Sequence, residues 1–561
     1  MELFSLLLPE IVVVATALVL FLFGVGGGGV RMLVPWIALG GLLAAGVISV
    51  VRVPVDTLDF TGAVTSDQLT AFVRVLTVIV GIPLVLLSWP TNDARTGNSA
   101  VHFGLDSAEY FGLLLLSLSG IMLVSASNDT MLLFMGIELA SIPTYVLVAM
   151  GRPLPSAQEA GVKYFYLGAM SAAVLLMGFA YLYGVTGTTN LAETATAIQG
   201  STGVWLTLAL ILVLLGLCFK LAAFPLHFYA GDVYAGAATP VTALLSFVPK
   251  AVGVVALVKV LVTAGAGVDG VANGPLPAAV WQTLLVVAIL TMTVGNTMAL
   301  MTRNLKRVMA YSSIAHSGYM LVALTAMAAA SLGGGMDVVQ SAAAGVLFYL
   351  VAYGVMNAGV FGVLMMLPTR ERVTDSDGNV YRPPATSAET YDEIRGVGRR
   401  HPILTAAMAI CCISLIGIPL TVGFLGKFYV FRPVLELAGD ASGEFARALW
   451  ILVGATAINA AIAAGYYLKI LSEMILKPAP DEAEIAAGSE ATAIPGAPRQ
   501  PWPLIAAVAL SAGGALLLGF VPPVIDYLSD AARLAALDVS TRAVELADGT
   551  AVAATESSAL P

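Results

Sequence analysis

Apolar runs of bilayer-spanning length recur from one end of the chain to the other, parted by polar connections. They fall at roughly 3–23, 32–51, 69–88, 108–126, 129–150, 160–184, 203–224, 240–263, 278–300, 308–330, 339–367, 403–421, 447–475 and 503–527. A helix needs about 20 apolar residues to cross roughly 30 Å of hydrocarbon. The pattern therefore predicts an all-α polytopic membrane protein with about 14 transmembrane helices.

Two runs are interrupted. The seventh breaks at Phe224-Pro225-Leu226-His227 and resumes through Gly231-Asp232-Val233-Tyr234. The twelfth breaks at Gly417-Ile418-Pro419 and again near Gly423 and Gly426, and 419–438 reads as its second half. Mid-helix proline removes a hydrogen bond and clashes with the preceding turn. Such backbone survives in a membrane only against protein or a wet cavity. The breaks lie five spans apart, which gives the units around them opposite topology, and paired broken helices in inverted repeats point to a transport site. Two unrelated proline kinks would leave the same local mark.

This reading divides the chain into a three-helix N-terminal segment (1–106), a first repeat of spans four to eight (107–265) and a second, inverted five-helix repeat (276–476). The second repeat contains a hydrophilic cytoplasmic loop, 368–402, expected to be mobile in part. A flexible loop (477–502), the last span (503–527) and a flexible tail (528–561) complete the chain. The stretches 478–500 and 540–561, rich in Ala, Glu, Ser and Pro, are expected to lack fixed structure.

Basic residues set the orientation. Odd-numbered connections hold Arg31, Arg95, Arg152, the 303–307 cluster, Arg399, Arg400, Lys477 and others, whereas even ones hold little beyond Arg52, Arg432 and Arg447. The positive-inside rule then places the odd connections in the cytoplasm and both termini outside. The first run, with no basic n-region or evident cleavage site, is expected to be retained as a span.

Composition agrees: of 561 residues 58% are hydrophobic, and the mean hydropathy of +0.91 excludes a water-soluble core. The net charge of -9 comes mostly from loops and tail, and no nucleic-acid partner is expected. Cys218, Cys411 and Cys412 all lie in apolar runs without a metal-ligand spacing, so they read as inert thiols. Gly24, Gly26 and Gly29 match a dinucleotide fingerprint, but they follow a membrane span rather than a strand, so direct NADH binding is not expected.

Only 11% of residues are charged, yet Glu138, Lys220, Lys250 and Lys427 each sit inside an apolar run. A charge at mid-membrane costs roughly 2.5–3.5 kcal/mol or more, and such residues usually line an ion or proton path. Burial opposes a charged lysine and a nearby carboxylate favours one. Lys220, five residues before Pro225, and Glu138, the lone carboxylate deep in the fifth span, are therefore natural partners. A static ion pair is the competing reading. Thr242, Ser246 and Lys250 form one helical stripe, and Ser312, His316 and Tyr319 form another. His316 and His227 are relay candidates, because imidazole titrates near neutral pH. Each could equally be a packing residue. Lys427, with Asn459 and Tyr466, suggests a second half-channel. Lys259 reads as a snorkelling residue near the outer end of its span.

Several segments together resemble one family. They are Leu8-Pro9-Glu10-Ile11, Phe219-Lys220-Leu221-Ala222-Ala223-Phe224-Pro225-Leu226-His227, Thr239-Pro240-Val241-Thr242-Ala243, Val248-Pro249-Lys250-Ala251, Arg303-Asn304-Leu305-Lys306-Arg307 with Tyr311-Ser312-Ser313-Ile314-Ala315-His316, and Gly423-Phe424-Leu425-Gly426-Lys427-Phe428. Over roughly residues 5–475 the chain is similar to the antiporter-like proton-pumping subunits of bacterial NADH–quinone oxidoreductase (respiratory complex I), subunit N in particular. Gly231, Ala235, Ala238 and Leu420 depart from residues common in that family.

The resemblance implies fourteen helices with inverted repeats in spans four to eight and nine to thirteen. Glu138 and Lys220 would be the coupled pair, Lys250 the central relay and Lys427 the far lysine. It implies a bacterial inner-membrane translocase subunit with no cofactor of its own. FMN, iron–sulfur clusters and quinone would belong to partner subunits, and neighbouring antiporter-like subunits would flank the chain. The competing readings are a subunit of a multi-subunit sodium/proton antiporter and a stand-alone cation transporter.

Overall fold

The computed structural model describes residues 2–25, 33–51, 62–89, 107–150, 155–198, 203–264, 276–330, 335–367, 373–374, 380–381, 388–478 and 501–536. These residues form a helical membrane bundle. An N-terminal group comprises α1 (Glu2–Leu6), α2 (Leu8–Val25), α3 (Val34–Val51) and α4 (Gln68–Leu87). Next come α5 (Ser107–Ala126), α6 (Thr130–Met150), α7 (Pro155–Thr186), the short α8 (Leu191–Ile198), α9 (Val204–Lys220), the short α10 (Ala230–Gly236) and α11 (Thr239–Thr263). Beyond them lie α12 (Ala278–Met301), α13 (Leu305–Ala329), α14 (Gly335–Met366), the single turns α15 (Tyr391–Ile394) and α16 (Val397–Arg400), α17 (Pro402–Ile416), α18 (Val422–Asp440) and α19 (Gly443–Ile475). The Trp502 helix (Trp502–Phe520) follows, and residues 522–536 are also helical.

Ten of the described helices are long and apolar enough to cross a membrane, or eleven if the bent pair Tyr391–Arg400 and Pro402–Ile416 is one span. The sequence predicts about 14. The difference lies in α2, α9, α13 and the α17–α18 pair. The apolar stretches of α2 and α9 are short, Leu8–Gly24 and Val204–Lys220. In α13 the apolar run is diluted by Lys306, Arg307 and its serines and histidine, and α17 has only 15 residues before its break.

Burial sorts the helices into axis and rim. The apolar windows of α11 and α14 are completely buried inside the protein, whereas only about a third of those of α3 and α7 is. A helix apolar on all sides belongs inside a bundle. These two central helices place Lys250 and a tyrosine pair, Tyr349 and Tyr353, on the axis.

Two of the polar stretches can be described in part. Part of the 368–402 stretch is built: Val373–Thr374 pairs antiparallel with Val380–Tyr381, and residues 388–400 dock on the bundle. The Leu305 amide donates to Glu389 O at 2.7 Å, Gly396 N donates to Glu473 O at 3.1 Å, and Thr390 opens α15 with a capping box closed by Glu393. That local chemistry gives the segment its own backbone partners. The tail expected to be flexible from 528 is helical to 536, with Leu528, Ala532, Ala535 and Ala536 buried at helical spacing. The predicted flexible stretches 479–500 and 537–561 lie outside the described residues.

Candidate functional site

Lys220 is the last residue of α9, where a cation complements the partial negative charge of a helix C-terminus. The helix stops there because Ala222 takes a left-handed φ of 51° and Pro225 cannot continue the ladder. The loose backbone ends are satisfied by protein. Ala223 N donates to Cys218 O (2.8 Å), the Tyr229 hydroxyl to Phe219 O (2.9 Å), and Phe224 N to the Thr291 hydroxyl of α12 (3.0 Å).

The Lys220 ammonium meets one face of α6. It lies 2.9 Å from Glu138 Oε1, 2.9 Å from Ser141 Oγ and 3.4 Å from the Tyr145 hydroxyl, residues at i, i+3 and i+7. Ser141 spends its own proton on Ile137 O (2.7 Å), so toward the lysine it can only accept. The Lys220 side chain is 2% exposed and that of Glu138 16%. The expected pair is formed, and it is nearly dry.

Lys250 lies on α11 with its Nζ 5.8 Å from the Tyr353 ring centroid of α14, and it makes no ion pair among the described residues. A methyl placed on Gly253, one turn further along α11, would lie 3.4 Å from Lys220 Cβ, so the stem of Lys220 packs close to Lys250's helix. The expected Thr242–Ser246–Lys250 stripe does not form a hydroxyl chain. Thr242 is shared between Ala238 O (3.1 Å) and Tyr234 O of α10 (3.3 Å), and Ser246 donates to Ala243 O (2.7 Å), so each meets a backbone carbonyl.

His316 is fully buried and bonded on both ring nitrogens. Nδ1 meets the Tyr349 hydroxyl, and Nε2 meets the Tyr467 hydroxyl at 3.0 Å, which in turn bonds Ser312. Its ring lies 5.1 Å from that of Tyr353 and 5.6 Å from that of Tyr319. Tyr353 donates to Ser313 Oγ (2.9 Å), which also meets the Tyr234 hydroxyl (3.1 Å).

Lys427, on α18, reaches back across the second break. Its Nζ donates to Ile416 O, the last residue of α17, at 2.8 Å and sits 4.8 Å over the Tyr319 ring. The break is built from Gly417 (φ 83°), Leu420 (φ 74°) and Gly423, where an added Cβ would fall 1.7 Å from Ser414 O. Ala222 and Leu420, one in each break, are the positive-φ non-glycine residues among those described. Asn459 and Tyr466 join this region through Asn296, whose Nδ2 lies 3.1 Å from Asn459 Oδ1 and 3.3 Å from the Tyr319 hydroxyl, and whose Oδ1 accepts from Tyr466 (3.2 Å).

Polar and aromatic side chains thus connect Lys250 through Tyr353, His316 and Tyr319 to Lys427. Two side chains lie away from the line. His227 stacks on Phe224 (5.6 Å) with its Nδ1 buried and unbonded among the described residues, and no hydrogen bond takes it to Lys220 or Lys250. Lys259 does not snorkel: it is 6% exposed and donates to Ser127 O at 2.6 Å. The residues that sequence reasoning missed are Ser141 and Tyr145, whose signal is their helical spacing from Glu138, and Tyr349, Tyr353 and Tyr467, which read as ordinary core. Lys306, counted as a loop charge, is wholly buried and holds Ala237 O (3.0 Å) and Glu389 (2.9 Å). Glu10 and Arg74 form another buried pair at 2.7 Å.

One broken helix ends at buried Lys220 and the other resumes with buried Lys427. The antiporter-like class follows from the family profile described as NADH:quinone oxidoreductase/Mrp antiporter, TM, which matches residues 127–442. NADH-quinone oxidoreductase subunit N of Trichlorobacter lovleyi is 33% identical over 94% of this chain and 97% of its own length. Subunit N 2 of Roseiflexus castenholzii is 35% identical over 88% and 89%. A chain of Thermus thermophilus respiratory complex I with bound aureothin aligns at TM-score 0.67 and 26% identity, covering 92% of this chain and 98% of that one. A chain of the Mrp complex from Dietzia sp., at 20% identity and TM-score 0.70 over 96% and 98%, shares the fold. The chain belongs to the NADH-quinone oxidoreductase subunit N family.

Proposed function

We propose that this chain is a proton-translocating membrane subunit of a bacterial NADH–quinone oxidoreductase. It couples quinone reduction elsewhere in the complex to proton transfer along Glu138, Lys220, Lys250, His316 and Lys427. The observation that carries the proposal is the nearly dry Lys220–Glu138 pair at the first helix break, 2.9 Å between Nζ and Oε1. Drawing the carboxylate away from the ammonium changes the charge balance at the first break, which is the coupling the proposal needs. The line from Lys250 to Lys427 offers hydroxyl, imidazole and ring neighbours along which a proton can be passed with water.

The chain itself carries no redox group in this reading. FMN, iron–sulfur clusters and quinone reside in partner subunits, and neighbouring antiporter-like subunits flank it in the inner membrane. The ten clear spans, with α2, α9, α13 and the α17–α18 pair, make fourteen. Residues 107–265 and 276–476 are then inverted repeats beside the 1–106 segment, and the paired breaks with their left-handed Ala222 and Leu420 support that symmetry. Both termini face outward. Trp36, Trp89 and Trp502, at helix ends that the charge bias places in the cytoplasm, cluster within 4.9–5.7 Å as an interfacial anchor would.

The test is purification of the tagged chain from native membranes. Flavin- and iron–sulfur-bearing partners with NADH–quinone activity are expected. Co-isolation with antiporter subunits alone, or as a monomer, would overturn the assignment.

A further inference from the structure

Between α17 and the Trp502 helix lies a cavity of about 590 Å³ that plays no part in the lysine line. This is within the roughly 300–1,000 Å³ typical of ligand clefts. Its walls are apolar and its residues small where the helices face each other: Ala406 and Ala407 on one side, Ala509, Ala512 and Gly513 on the other. A methyl on Gly513 would meet nothing within 4 Å, so the space is open.

The cavity has a charged end and a deep apolar end. Arg400 and His401 line it just before Pro402 opens α17, and no carboxylate is among its lining residues. From there it follows α17 to Ile410, while on the other helix it runs from Ile505 to Leu516. At 1.5 Å per residue these stretches span about 15 Å, half of a roughly 30 Å hydrocarbon core and so one leaflet. The charged end also sits at headgroup level, because Trp502 of the tryptophan cluster is one turn from Ile505. An acyl chain along the groove would bring its phosphate to Arg400, His401 and the positive end of α17.

We infer that this groove is a binding site for an anionic phospholipid of the cytoplasmic leaflet, with one acyl chain between α17 and the Trp502 helix and the phosphate at Arg400 and His401. The occupant touches the helix whose C-terminal carbonyl, Ile416 O, holds Lys427, so lipid in the groove steadies the second break. The inference rests on membrane insertion with this end at the cytoplasmic surface. It does not depend on proton transfer, and its test reads binding alone.

The experiment uses the intact complex in phosphatidylcholine vesicles doped with a phosphatidylglycerol carrying a photoactivatable group on one acyl chain. Cross-links should map to the peptides spanning 403–410 and 505–516. They should fall severalfold in Gly513→Phe, which fills the groove where space is open, and in Arg400→Glu, which reverses the charged end. Arg400→Lys should retain them. A phosphatidylcholine probe should label no better than phosphatidylglycerol labels the Arg400→Glu variant. Equal labelling by both lipids, labelling unchanged in both variants, or probe attached to a neighbouring subunit with none on 403–410 or 505–516 would each overturn the proposal.

Discussion

The two helix breaks hold their lysines differently. At the first, Lys220 ends its own helix and faces a carboxylate from another, with Glu138 Oε1 at 2.9 Å. At the second, Lys427 belongs to the helix that resumes and reaches back to a backbone carbonyl, Ile416 O at 2.8 Å, with Tyr319 beneath it. An amine can donate to a carbonyl whether charged or neutral, so Lys427 can surrender a proton and keep its place. Lys220 faces a full negative charge instead, so its charge state is tied to where Glu138 sits. On the proposed function, the first break couples a lysine to a movable charge, whereas the second holds its lysine on fixed backbone.

Substitutions can break or sharpen that contrast. Glu138→Ala should have the largest effect, because removing one partner of a buried pair costs about 3–5 kcal/mol. Coupled proton pumping, followed with a pH-sensitive dye in vesicles, should nearly vanish while the complex still assembles. Lys427→Ala should come next. It orphans Ile416 O at a cost of about 1–3 kcal/mol, and pumping should drop severalfold while the complex still assembles on native gels. Tyr467→Phe deletes the hydroxyl shared by His316 and Ser312, at about 0.5–1.5 kcal/mol for a typical hydrogen bond, and should slow pumping modestly without changing yield. Lys163→Ala should do least. Its bridges to Asp232 and Glu159 are half exposed, and neither pumping nor yield should move measurably.

Much of this was legible in the sequence because membranes penalise exceptions. A lysine or glutamate inside an apolar run needs a reason, and Glu138, Lys220, Lys250 and Lys427 all prove buried or nearly so. Prolines and glycines likewise marked both breaks. Less legible were the groups that make a site from those charges. Tyr349 and Tyr353 look like any buried aromatics, and only the packing of α14 beside α13 turns their hydroxyls toward His316 and Ser313. His227 is near the lysines in sequence because it stands beside a break, and its ring stacks on Phe224. Lys259 misled because snorkelling assumes a free route to the interface, whereas the 127–130 turn offers Ser127 O at 2.6 Å. Lys306 was hidden by its neighbours Arg303 and Arg307, which made it look like one more loop charge.

The most direct measurement is the number of protons moved per electron by the purified complex in sealed vesicles, wild type against Lys220→Ala. The account predicts that NADH oxidation continues in the variant while the ratio falls. An unchanged ratio would mean that the buried pair at the first break takes no part in moving protons.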